Sequence, residues 1–338
     1  MPNTSLAGYA NLAVYSAMAV LTLATLAYAV FLARWVPARG ETVASVAPES
    51  ELVPAYAGTS TAYTGGSGDA GADQPAVAAA AEVTAPAEPL GARKAAGIGL
   101  SLTRLATLLL AVGVGLRGWS VQRWPLGNMH EFATFGSLAV LAVFAFWARR
   151  RDLRWLGIFV VAPVLLVLGL AITVWYTEAA ELVPSLKSVW LVIHVTVATI
   201  SVALFGIGFA LACLSLVRDR LATSGRPAWM TRVPGGAALE KLAYSLHIIA
   251  FPLWTFTLIA GAIWARQAWG SYWNWDPKEV WTFVIWAVYA AYLHARATTG
   301  VSRRTATWIA IAGFLCIVIN YAVVNVWFVG QHSYSGIS

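Results

Sequence analysis

The chain has 338 residues, of which 59% are hydrophobic and only 11% charged, with 22 basic side chains against 15 acidic ones. A water-soluble domain carries about a quarter of its residues charged, and the mean hydropathy here is +0.69, so a solvated globular surface is excluded. The formal charge of +7 does not point to nucleic acid, because no basic run on a soluble element has interleaved aromatics; in a membrane chain, basic residues collect in loops kept on the cytoplasmic side.

Apolar runs of about 20 residues recur, each long enough to cross a bilayer as a helix. In chain order the pattern predicts about eight spans, near 9–33, 98–116, 129–147, 155–175, 188–217, 241–264, 280–297 and 306–329. The expected fold class is an all-α polytopic membrane helical bundle. The first span is too long for a signal-peptide core and has no basic residue before it, so residues 1–34 read as a retained transmembrane anchor. Residues 35–97 follow as a linker rich in Ala, Gly, Pro, Ser and Thr, as in Gly65-Gly66-Ser67-Gly68-Asp69, with too few large apolar residues for a core. This composition predicts a disordered cytoplasmic segment. Residues 98–338 hold the remaining spans. Pro163 and Pro252 fall inside spans, where neighbouring helices can satisfy the freed backbone groups.

Arg and Lys set the expected orientation. Arg34 and Arg39, Arg149 to Arg151 with Arg154, Arg218, Arg220, Arg226, Arg232 and Lys241, and Arg296, Arg303 and Arg304 occupy alternate loops. The opposite loops carry only Arg117 and Arg123, Lys187, and Arg266 with Lys278. The positive-inside rule then puts both termini outside.

The two cysteines, Cys213 and Cys316, lie far apart in apolar runs and form no CxxC pair, so they read as small core residues rather than redox thiols. No nucleotide-binding loop, Ser-His-Asp arrangement or HExxH is present. Any reaction must draw its reactivity from a bound cofactor or a partner.

The most specific stretch is Trp269-Gly270-Ser271-Tyr272-Trp273-Asn274-Trp275-Asp276-Pro277-Lys278-Glu279-Val280-Trp281, in the outer loop 265–281 and the start of the next span. Four Trp and one Tyr in thirteen residues exceed what a headgroup belt usually supplies, although Trp favours that depth. Flat aromatic faces also suit a large planar apolar ligand such as a porphyrin. Composition alone leaves belt and ligand platform both open. Pro277 biases Asp276 to an extended conformation and can start the next helix.

The histidines favour the platform. His194 lies six residues into the fifth span from its outer end, roughly 9 Å deep at 1.5 Å per residue, and His332 follows the outer end of the eighth. Both share the side of the Trp loop, and neutral imidazole is a usual axial ligand of haem iron. His294 lies thirteen residues beyond Trp281, about 20 Å toward the cytoplasm. It cannot reach a metal held at the Trp loop, and an ionisable group at that depth is by default a functional candidate. For His130 and His247 the structural reading is preferred.

These residues resemble the CcsA/ResC family of cytochrome c biogenesis proteins, part of the haem-handling group named for its tryptophan-rich WWD motif. Trp269-Gly270, Tyr272-Trp273, Trp275 to Glu279 and Trp281 carry the resemblance, which runs from about Leu239 to Ser335, with a weaker match over Pro125 to Glu131. The first span and the linker match poorly. The resemblance implies that His194 and His332 ligate an outer haem iron under the loop formed with Trp269, Trp273, Trp275 and Asp276. It implies that His294 is the intramembrane ligand of an inner haem, with its second ligand from a CcsB/ResB-type partner. His130, Val280 and Gln331 depart from the usual Tyr, Thr and Leu, and His247 stands where an aliphatic residue is expected.

The implied substrate is haem b, taken across the membrane and presented for thioether attachment to the CxxCH motif of apocytochrome c. With its partner the chain would form a cytochrome c haem lyase (holocytochrome c synthase), in the bacterial plasma membrane or alternatively in a thylakoid membrane. Two other readings stay open: a haem exporter or carrier with no part in attachment, and a transporter of something else whose Trp cluster is only a belt.

Overall fold

A computed structural model describes residues 3–34, 89–181, 184–224, 230 and 233–332. All regular structure among the described residues is helical: α1 (Thr4–Arg34), α2 (Leu90–Ser120), α3 (Met129–Trp147), α4 (Gly157–Thr173), α5 (Val189–Ser224), α6 (Gly236–Trp269), α7 (Pro277–Ala297), α8 (Arg303–Val318) and the short α9 (Asn325–Trp327). Residues 35–88 of the expected linker lie outside the described residues, whereas its last residues, from Leu90, belong to α2.

Seven of these segments are long and apolar enough to cross a membrane. The expected seventh span, 280–297, corresponds to α7, a helix of 21 residues that is long enough to cross but carries Lys278, Glu279, His294 and Arg296. The fold is thus the expected polytopic helical bundle. Its helix ends are chemically marked. Asn128 caps α3 by accepting from Glu131 N–H, and Ser302 caps α8 by accepting from Thr305 N–H. Gly270 ends α6 in a left-handed conformation at φ 80°, as a residue without a Cβ does at little cost. α4 and α6 run unbroken across Pro163 and Pro252.

Successive helices run in opposite directions, and contacts at both ends of the bundle show it. At the end that bears the Trp-rich loop, Asn3 N–H donates to Ser120 O at 2.8 Å, Tyr321 Oη to Met129 O at 2.8 Å and Ser188 Oγ to Gln267 Oε1 at 2.8 Å. At the opposite end Arg296 pairs with Glu240 at 2.7 Å and Arg303 with Asp219 at 2.5 Å.

Close packing integrates α1 with the rest. The fully buried Tyr28 ring fills space left by two glycines, since a Cβ would lie 3.0 Å from it at Gly99 and 2.3 Å at Gly157. Small residues that let backbones approach in this way are the main packing device between helices in lipid, where apolar burial gives no net gain. Leu21, Leu110, Leu141, Val161 and Leu168 complete a core shared by α1 to α4, and a second core joins α5 to α8 with residues of all four, among them Phe31, Ala96, Phe144 and Val160.

Glu131 fastens the loop-bearing end. Its wholly buried carboxylate accepts from Arg117 Nε at 3.0 Å, from Arg123 Nη1 at 2.8 Å and from Gly127 N–H at 2.8 Å. The two guanidiniums also donate to Thr177 O and Ala180 O. One carboxylate therefore ties α2, α3 and the segment after α4. His130, beside it, uses Nδ1 on Ala171 O at 2.8 Å and packs edge-on against Tyr176.

Candidate functional site

Between α3, α4, α5 and α8 lies a cavity of about 1370 Å³. Its wall runs from Ala33 and Phe159, at the end opposite the Trp-rich loop, to Trp175, Trp264 and His332 at the loop-bearing end. That volume exceeds the roughly 300–1,000 Å³ of ordinary small-molecule pockets, and the wall is mostly aliphatic and aromatic. Asn320 and Tyr321, in the π-helical turn Ile319–Val324 that follows α8, and then Asn325 also face it. Such π turns commonly mark functional positions.

His194 and His332 both line this cavity. His194 on α5 keeps some accessible surface and lines the cavity. Its Nδ1 lies 2.9 Å from Thr257 O on α6, and since a carbonyl only accepts, Nδ1 carries the proton. Trp264 stacks on the same ring at a centroid distance of 6.1 Å and an interplanar angle of 18°. Trp264 also meets His332 at 5.6 Å and Trp269 at 4.6 Å, and His332 meets Trp269 edge-on at 4.8 Å.

Asp276 holds His332, its Oδ1 lying 2.9 Å from Nδ1. The same carboxylate caps α7 by accepting from Lys278 N–H at 3.0 Å and captures Gln331 N–H at 2.6 Å. Glu279 completes a capping box by accepting from Asp276 N–H and Asn274 N–H. Burial alone would raise the Asp276 carboxyl, but the imidazole of His332 and the two backbone N–H groups outweigh it and bring it down to about 2. An ionised Asp276 fixes Nδ1 of His332 as the donor. In both histidines Nδ1 is thereby occupied, and Nε2 has no hydrogen-bond partner among the described residues. A metal-ligating imidazole is usually prepared by this arrangement, with the second nitrogen donating to a carbonyl or carboxylate.

The structure distributes the other expected site residues unevenly. Trp269 touches His332, whereas Trp273 and Trp275 lie outside the cavity wall, with their rings edge-on at 5.8 Å and Trp275 77% exposed. Trp275 also holds φ at 57°, a conformation uncommon outside glycine. His294 is exposed near the opposite end of α7 and does not line the cavity. His247 is wholly buried among Phe205, Tyr289 and Tyr292, away from the cavity. Among the described residues no cluster of three or more His, Cys, Asp or Glu could hold a metal by itself.

Sequence reasoning passed over several residues that meet the two imidazoles or the cavity beside them: Trp264, the Thr257 carbonyl, Gly261, Lys278 and Asn325. One signal was available. Gly261 interrupts an apolar span, and an isolated glycine there often marks a close approach.

A polytopic helical membrane protein with two prepared imidazoles in one apolar cavity is the class that fold and site define. The family described as "Cytochrome C assembly protein" matches residues 124–332. The chain is 33% identical to the cytochrome c biogenesis protein CcsA of Parasynechococcus marenigrum, over 70% of this chain and 86% of that one. It is 35% identical to CcsA of Prochlorococcus marinus, over 69% and 82%, and 34% identical to CcsA of Guillardia theta, over 70% and 85%. The chain belongs to the CcsA family of cytochrome c assembly proteins, and is a multi-pass membrane protein of cytochrome c biogenesis.

Proposed function

We propose that this chain presents haem b, ligated by His194 and His332, for covalent attachment to apocytochrome c on the outer face of the membrane. The carrying observation is that both imidazoles line one apolar cavity with Nδ1 occupied and Nε2 open. The cavity is large enough for a porphyrin, and its wall suits the apolar body of one. Ligation at this end would hold the substrate within reach of a soluble polypeptide.

Attachment itself is an addition. Each thiol of the CxxCH motif loses its S–H bond as sulfur bonds one vinyl carbon and the hydrogen goes to the other, with no net change of oxidation state. The motif's own His then replaces one of the two chain ligands. The protein contributes orientation and exclusion of side reactions, the usual division between protein and reactive group. His294, exposed on α7, would share an inner haem with a ligand from a CcsB/ResB-type partner. The two chains together would act as the haem lyase.

The test is co-expression with such a partner and a CxxCH reporter, scoring covalent haem. The parental complex should show a low-spin bis-His spectrum, and His194→Ala or His332→Ala should abolish attachment, with partial rescue by added imidazole. His294→Ala should lower the haem that reaches the outer site, with weaker rescue. A carrier without a role in attachment would bind haem and leave the reporter unmodified; a chain using its Trp loop only as a belt would purify without haem. Reporter fusions after residue 69 should read cytoplasmic and after residue 338 outside.

A further inference from the structure

Lys278, in the first turn of α7, lines the cavity beside the paired imidazoles. It keeps some accessible surface, and Asn325, which its ammonium meets, lines the same cavity. Among the described residues of the cavity wall it is the only Lys, Arg, Asp or Glu. Nζ donates to Asn325 Oδ1 at 2.5 Å, and no described carboxylate lies within 4.0 Å of it. The neighbouring Asp276 is already committed to His332 and to two backbone N–H groups.

An ammonium has three N–H donors, and a buried charge is stable only when paired or fully hydrogen-bonded. Asn325 accepts from Lys278 through its oxygen, and its Nδ2 has no hydrogen-bond partner among the described residues. Together they make a site with a positive charge and two kinds of N–H donor, at the polar end of an otherwise apolar chamber.

We infer that Lys278 and Asn325 bind a carboxylate of the ligand, and specifically a propionate of haem. The inference rests on the haem reading above and adds the group that orients the ring. Imidazole ligation fixes the iron but leaves the porphyrin able to turn about the axis through its two ligands. A propionate anchored at Lys278 stops that rotation. Since the propionates lie across the macrocycle from the vinyl groups, the same contact decides which edge is offered for attachment.

The experiment uses the full chain with its partner, freed of endogenous haem, and titrates it with haem or with haem dimethyl ester while following the Soret band. The ester keeps the iron, ring and vinyls and removes both negative charges. A charged hydrogen bond contributes enough that the parental complex should prefer haem by about tenfold or more. Lys278→Met should lose that preference through weaker haem binding, with ester binding unchanged, and Lys278→Arg should restore part of it. Equal parental affinity for the two ligands overturns the inference, and is also what an anionic lipid headgroup held at Lys278 would produce. A Lys278→Met variant that still prefers haem, or loses both ligands equally, overturns it as well. If the parental complex binds neither ligand, the haem reading itself fails and takes this inference with it.

Discussion

Gly261 of α6 lies flat against the imidazole of His194, so close that a Cβ there would stand 2.7 Å from Cε1 and 2.8 Å from Nδ1. Thr257, one turn earlier on α6, supplies the carbonyl that takes the Nδ1 proton. Helix α6 therefore both holds the ring and sets how near it can come.

Gly261→Ala should push the imidazole off this seat. An added methyl in a filled site costs about 1–3 kcal/mol, and here the displaced group is the ring itself. The expected result is a stable, membrane-inserted protein whose haem spectrum changes from low-spin to mixed-spin, partly restored by exogenous imidazole. Unchanged low-spin ligation would show that His194 does not depend on this contact.

Asp276→Asn removes the charge and the acceptor of Gln331 N–H, while its amide oxygen can still accept from His332 and still cap α7. The carboxyl of Asp276 is held at about 2 in the folded protein against an ordinary 3.8. A depressed carboxylate stabilises the fold fully above its unfolded value and loses that contribution as pH falls through its folded value. The melting temperature of the haem-free parent should exceed that of the variant by a constant amount from pH 8 to about 5. The gap should narrow below about 4 and close near 2. A gap that grows on acidification would invert the assignment.

Glu131→Gln should be the most damaging single change at the loop-bearing end. It leaves Arg117 and Arg123 buried without their carboxylate, and breaking a buried ion pair by removing one partner costs about 3–5 kcal/mol. Reduced accumulation and faster proteolysis of the loops are expected at unchanged synthesis. Parental abundance and protease resistance would argue that water or lipid headgroups satisfy the guanidiniums.

Trp273→Ala and Trp275→Ala test the aromatic loop. Trp275 is largely exposed, so its loss should not impair folding. If the two rings close over a bound porphyrin, each change should weaken haem retention by the about 0.5–1.5 kcal/mol that a stacked aromatic contact adds. Unaltered haem content in the double variant would leave the loop as an interfacial belt.

The helices were legible because their apolar runs are long and their loops are marked by charge. Boundaries were less so: α2 starts at Leu90 rather than near 98, and α6 spans Gly236–Trp269 rather than 241–264. Ala and Gly do not distinguish a helix that projects past the bilayer from a loop. The pairing of His194 with His332 came from shared sidedness and from family likeness, and the structure puts both on one cavity. The aromatic wall was not legible in the same way. A dense Trp cluster draws attention to Trp273 and Trp275, but the chamber is lined by Trp175, from the segment after α4, and by Trp254 and Trp264, from α6. The partner of His194 is a backbone carbonyl, which no residue type announces.

The two imidazoles come from α5 and from the segment after α9, 138 positions apart in the chain. During synthesis His194 enters the bilayer with the fifth long helix, while His332 reaches its place only after the last one is threaded. On the bis-His proposal, a nascent protein would offer haem at most one of these two ligands until insertion is complete, and six-coordinate binding would await a finished bundle. Order of translation would then guard against a half-built protein sequestering a reactive iron porphyrin.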